Sequence, residues 1–204
     1  MQRIAIALVV LCGLAAADGG GGKKKPVEHD DDLVDVAKVI PDAVIDLRYA
    51  TADNFTKRVL YASGTCKLRR AVAARLAVAA EALRKDRRRL LLWDCYRPLS
   101  VQKQLWKLVP DPRYVADPKT GSRHNAGASV DVALVAEDGS AVTLPTKHDD
   151  FSAAAHRDRA LAGAHGAEAR RLDAAMSAAG FRGLATEWWH FDAPGRFALS
   201  DEPL

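Results

Sequence analysis

The sequence predicts an α+β fold. Three observations carry that expectation: one long amphipathic helical stripe, several short apolar strands, and an order of helices and strands without a β-α-β rhythm. From Cys66 to Asp86, Leu68, Val72, Leu76, Ala79 and Leu83 share one helical face, with Arg69, Arg70, Arg75 and Arg84 elsewhere. Arg87, Arg88 and Arg89 are expected to end that helix, where cations suit the dipole. LLLW (90–93) reads as a short buried strand, which DCYRP stops because Pro98 cannot continue a central strand. Ser100 to Val109 reads as a second helix with Val101, Leu105 and Leu108 inward. Ser129 to Val135 is a strand, and EDGS (137–140) turns it into a partner, AVTL. Glu168 to Ala179 is a third helix with Leu172, Ala175 and Met176 inward and Gly180 closing it. The run TEWWHFD (186–192) makes the last strand.

The 204 residues, 49% hydrophobic and 27% charged, describe an ordinary globular chain and exclude a fibre, a collagen or a disordered protein. Residues 1–17 read as a secretory leader: Arg3, an apolar run from Ile4 to Leu11, then Ala15 to Ala17 with cleavage after Ala17. That run is too short to span a bilayer, so export to the periplasm or the exterior is expected, with no stable membrane span. Cys12 follows Leu11, where lipid attachment calls for a small residue, so a lipid anchor is the weaker reading. Residues 18–29, with GGGGKKKP, form a flexible linker, and residues 30–204 form one domain without internal repeats. Two further cysteines, Cys66 and Cys95, invite a disulfide in an exported chain, against the alternative of two separate buried thiols. The net charge is +4, but basic residues are interleaved with acids and no aromatic-basic platform appears, so no nucleic-acid partner is expected.

Six histidines are present, and His29, His148, His156 and His165 read as surface residues. His124 and His190 differ, because each lies beside a strand and an acid. A catalytic zinc takes three protein ligands and leaves one position open. His124, Asp131 and His190 could supply such a set, with Gly127 letting the loop between the first two fold over. A bound ion would also explain Asp131, since a buried carboxylate is costly unless paired or metal-bound. Glu187, three residues before His190, could serve as the base that handles the proton of the attacking water. Residues three apart on a regular strand face opposite ways, so Glu187 needs a turn or a bulge, for which Gly183 gives an opening. Otherwise it is a surface acid beside Trp188 and Trp189, which read as wall and core. Arg97, fixed before Pro98, is a charged fork that could meet an oxyanion; the alternative is a structural ion pair with Asp94.

Taken together, S-x-H-x-x-G-x-x-V-D (122–131), E-W-W-H (187–190) and D-x-Y-R-P (94–98) resemble the D-alanyl-D-alanine dipeptidases associated with vancomycin resistance. The resemblance begins at IDLRYATADNFT (45–56) and runs through most of the chain. It implies a small, mostly antiparallel sheet with packed helices, the hedgehog/D,D-peptidase-like fold, and one Zn2+ per chain. By the same resemblance His124, Asp131 and His190 are the zinc ligands, Glu187 is the general base and acid, and Arg97 stabilises the transition state. Ser122 matches a position near the substrate carboxylate, Tyr49 and Asp149 match positions that receive the substrate ammonium, and Asp94 matches the acid that orients the arginine loop. The substrate implied is a small free D,D-dipeptide. Three positions depart from the family pattern. Ser129 stands for a usual alanine, Cys95 for a common glycine, and His148 for an aromatic before Asp149, which leaves Asp150 as an alternative to Asp149. Two other functions fit the same motifs: a zinc D,D-carboxypeptidase or endopeptidase cutting peptidoglycan stems, and a catalytically inactive zinc-stabilised binding module.

Overall fold

A computed structural model describes residues 29–204; the expected leader, Cys12 and the linker up to Glu28 lie outside the described residues. In chain order, β1 (Leu33–Asp35), α1 (Val36–Val39) and β2 (Val44–Ile45) precede β3 (Lys67–Arg69) and α2 (Arg70–Lys85). They are followed by β4 (Arg88–Asp94), α3 (Leu99–Leu108), β5 (Ser129–Ala136), α4 (Arg157–Ala162), α5 (Ala167–Ala178), β6 (Arg182–Leu184) and β7 (Glu187–Asp192). Among the described residues the main sheet has the order β2-β4-β5-β7-β6, and only the β2–β4 pair is parallel. β1 and β3 form a separate antiparallel pair. The α+β expectation, with a mostly antiparallel sheet and packed helices, is met. Among the described residues no helix is long and apolar enough to cross a membrane.

Helix α2 buries Val72, Ala73, Leu76, Ala79, Ala80 and Leu83, the inward stripe of a 3.6-residue period, and packs on α5 and β4. Strand alternation sorts β5 into two rows. Val130, Val132 and Leu134 pair with Phe191, Leu92 and Leu90 in the core, and Asp131 belongs to the opposite row.

Several expected boundaries move. Residues 66–69 precede helix α2, so Leu68 packs from strand β3, not from a helical face. Pairing with β1 decides this, and local periodicity carries no trace of a partner 34 residues upstream. Arg87 turns with φ 56°, while Arg88 and Arg89 open β4 instead of closing the helix. There Arg88 pairs with Glu168 at 2.7 Å and Arg89 donates to the Asp42 carbonyl at 2.6 Å. Leu108 is 38% exposed at the end of α3, not inward. After the turn at 137–140, AVTL contributes a single bridge, Val135 to Ala141, and no strand. Gly180, at φ 83°, follows the last turn of α5 in the left-handed conformation, and Phe181 N–H donates to Met176 O at 3.0 Å.

Two devices place the strand ends where the chemistry gathers. Cys66 and Cys95 form a disulfide that ties the segment before β3 to the end of β4. Arg157, at the start of α4, donates to the carbonyls of Leu184, Glu187, Trp188 and His190 and ion-pairs with Asp173. Its guanidinium also lies 4.4 Å from the Phe191 ring centre. Adjacent carbonyls on a regular strand point to opposite sides, yet those of Glu187 and Trp188 accept from the same Nη2. The start of β7 is therefore bent, and the register shift between Gly183 and Leu184 records the same irregularity. Gly183 makes room for the clamp, because a Cβ there would overlap the Arg157 guanidinium.

Two outcomes follow. Replacing Cys66 and Cys95 by serine opens a crosslink of sequence separation 29. Denaturant unfolding should then show a loss of about 3 kcal/mol. Gly183→Ala should cost about 2 kcal/mol in the same measurement by displacing hydrogen bonds to a charged donor. Its activity loss should exceed what the unfolded fraction explains.

Candidate active site

One sheet row organises the site. Asp94, Asp131 and His190 lie opposite one another across β4, β5 and β7. The irregularity between Leu92 and Asp94 supplies one extra residue in β4 and brings Asp94, in place of Trp93, opposite Asp131. His124 arrives from a 3-10 turn at Arg123–Ala126. Ser122 caps that turn: its Oγ accepts from His124 N–H at 3.2 Å, and Asn125 Oδ1 accepts from Ser122 N–H at 2.7 Å. Gly127 then takes φ 65°, and a Cβ there would press on Leu33 and the Arg69 backbone, so the reversal into β5 requires glycine.

The donor atoms converge. Asp131 Oδ1 lies 3.0 Å from His190 Nδ1 and 3.3 Å from His124 Nε2, and the two nitrogens are 3.2 Å apart. A tetrahedral zinc with bonds of about 2.0–2.1 Å separates its donors by about 3.3 Å, so the three atoms are spaced as a metal needs them. The outward nitrogens are tied in the sense that frees the inward ones. His124 Nδ1 donates to the Cys95 carbonyl at 2.7 Å, and His190 Nε2 donates to Asp192 Oδ1 at 3.1 Å. Asp192 is steadied in turn by Arg123, 3.4 Å away. Burial opposes the charge on Asp131, but the imidazoles of His124, His148 and His190 overcome it and hold the carboxyl well below its ordinary range. Burial likewise works against a charged His190, which Asp131 and Asp192 nonetheless raise to about 10. A cation at this point would replace that proton as the partner of Asp131.

Glu187 faces the same point. Its Oε2 lies 3.8 Å from His190 Nδ1, which the bend at the start of β7 permits. Burial, reinforced by the Asp131 charge, pushes its carboxyl above the ordinary range. Arg97 is buried and braced on two sides. Its Nη2 and Nε reach Asp94 Oδ2 at 2.6 and 3.1 Å, and its Nη1 donates to Gln102 Oε1 at 2.9 Å. Asp94 accepts further bonds from Tyr61 Oη and from Cys95 N–H at 2.9 Å. Arg97 thus forms the ion pair with Asp94 and lines the cleft as well.

Across the cleft, Tyr49 Oη donates to Asp149 Oδ2 at 2.9 Å, and burial raises the Asp149 carboxyl. Asp150 instead accepts from Ser152 N–H at 2.8 Å, so Asp149 is the acid that lines the cleft. Tyr49, Arg97, Ser122, His124, Asp131, Asp149, Glu187 and His190 all line one cleft of about 520 Å³, and Asp94 lies behind Arg97. The reading of His148 as a surface histidine is corrected: its side chain is 4% exposed, with Nε2 at 3.0 Å from Asp131 Oδ2. Tyr61, Gln102, Asp192 and His148 complete the site and were not singled out as site residues in the sequence. Gln102 had a signal, a polar side chain beside inward Val101, and Asp192 shares the face of His190 two residues earlier. Tyr61 had none, since its partner Asp94 is 33 residues away.

Comparison with known proteins identifies the family. The sequence model of the family described as D-ala-D-ala dipeptidase matches residues 29–202. A D-alanyl-D-alanine dipeptidase of Escherichia coli (strain K12) is 34% identical over 174 residues, covering 80% of this chain and 85% of that protein. Proteins of the same name from Streptomyces coelicolor and Enterococcus faecium are 31% and 30% identical, each covering 78% of this chain and 86% of their own length. The chain belongs to the D-ala-D-ala dipeptidase family of metal-dependent peptidases.

Proposed function

We propose that the chain is a zinc metallopeptidase that hydrolyses the amide bond of free D-alanyl-D-alanine. The observation that carries this reading is the pairing, in one cleft, of a metal-spaced donor set and Glu187 with a separate half-buried acid, Asp149. An acid aimed into the cleft away from the metal donors suits a free substrate ammonium. A stem-cutting enzyme has no free amine there to bind. The names of the relatives support the same substrate.

The donor chemistry of two imidazoles and a carboxylate fits zinc. A zinc held by His124, Asp131 and His190 would polarise the scissile carbonyl and acidify the attacking water. Glu187, made more basic by burial, accepts the proton of that water and returns it to the leaving amine. Arg97, immobilised by Asp94 and Gln102, keeps N–H groups beyond those bonds for the developing oxyanion. Asp149 and Tyr49 hold the ammonium, and Ser122 sits at the carboxylate end. A site that reads both charged termini leaves buried polar groups unpaired with longer peptides, which sets the selectivity. We place the enzyme outside the cytoplasm, degrading or recycling wall peptides; the leader-like residues 1–17 and the Cys66–Cys95 disulfide support that location.

The test is a hydrolysis panel of D-Ala-D-Ala, its N-acetyl derivative and a stem pentapeptide, with and without a zinc chelator. Only the free dipeptide should turn over, chelation should abolish turnover, and Glu187→Gln should reduce kcat by about 10²–10⁴-fold. Turnover of the pentapeptide alone would favour the stem-cutting alternative, and undiminished turnover by Glu187→Gln would refute the mechanism.

A further inference from the structure

His148 has no assigned role, and its ring is locked among aromatics. Ring centres lie 5.3 Å from Trp93, 5.7 Å from Trp189 and 6.2 Å from Tyr49. Its two nitrogens address two different carboxylates. Nε2 is 3.0 Å from Asp131 Oδ2, and Nδ1 is 3.4 Å from Asp149 Oδ2. Asp131 uses its other oxygen, Oδ1, towards His124 and His190. The hydrogen bond from His148 therefore fixes the carboxylate plane and occupies the oxygen that would otherwise be free to swing onto an ion. The oxygen of Asp149 beside His148 is also the one that accepts from Tyr49. Asp149 itself sits at φ 54°, a conformation that a non-glycine residue holds only when its surroundings fix it.

We propose that His148 is a positioning residue that serves two ligands through one imidazole. It holds Asp131 to a one-oxygen approach to the metal, and it fixes Asp149 where a substrate ammonium is read. The second half rests on the dipeptidase reading; the first does not. An aromatic at position 148 could fill the space but could not donate to Asp131. Partners of metal ligands of this kind are worth about 10–100-fold in metal affinity.

The experiment compares the mature wild-type chain with His148→Phe and His148→Gln, reading zinc affinity by competition against a chromophoric chelator. His148→Phe should bind zinc about 10-fold or more weakly, and His148→Gln, which keeps an N–H donor, should recover most of that loss. At saturating zinc, His148→Phe should raise KM for free D-Ala-D-Ala by a larger factor than it lowers kcat. Zinc binding by His148→Phe within twofold of wild type, with an unchanged melting temperature, would overturn the proposal. Should His148→Phe not fold, His148→Asn takes its place, since its shorter amide falls short of Asp131; zinc affinity equal to that of His148→Gln then overturns the proposal. Zinc affinity is read without substrate. A wild-type chain that binds zinc but leaves the dipeptide intact would therefore sink the dipeptidase reading, and the variant ratio would still decide the role of His148 on the metal side.

Discussion

A carboxylate buried in the middle of a sheet is costly unless something charged meets it, and Asp131 is such a group. Its two oxygens are met by three imidazoles, from His124, His148 and His190. Each imidazole comes from a different part of the chain: a glycine-terminated turn, a loop and a strand. The strand ends must therefore be held firmly. Were any of these three to drift, the remaining groups would surround an incompletely paired charge. Much of the surrounding structure can be understood as what keeps that cluster in register.

The holding devices are indirect. Arg157 bends the start of β7 through carbonyl contacts, so that Glu187 and His190 share a side that a regular strand would deny them. The irregularity in β4 puts Asp94 in the row of Asp131, from which it braces Arg97. The Cys95 carbonyl orients His124, and the disulfide at Cys95 ties that same loop to the segment before β3. Backbone, crosslink and charge thus converge on the same few side chains. Replacing a residue that does not itself line the cleft, such as Gly183, can for that reason reach Glu187.

How much of this was legible in the sequence depended on how local the cause was. The stripe of α2 and the apolar run of β5 were readable, because each is a pattern within one element. The short strands β1, β2 and β3 were not, because distant partners define them, and β6, though it pairs with the adjacent β7, is only three residues long and shows no period. His124, Asp131, Glu187 and His190 stood out through spacing, small neighbours and motif resemblance. His148 did not, because its significance lies in reaching Asp131 over a sequence separation of 17, from the loop that follows β5, and an isolated histidine next to acids reads as surface. Arg157 was equally silent: what matters about it is a set of backbone carbonyls, and carbonyls carry no sequence signature.

The central proposal is that His124, Asp131 and His190, which could together hold a metal ion, bind one catalytic zinc. The most direct measurement is metal content with X-ray absorption at the zinc edge, on the purified chain and on Asp131→Asn. One zinc per chain, bound by two imidazoles and one carboxylate oxygen plus a light atom, with binding greatly weakened in Asp131→Asn, is the predicted result. A chain that turns over substrate with no metal bound, or a zinc that binds Asp131→Asn as tightly as wild type, would contradict it.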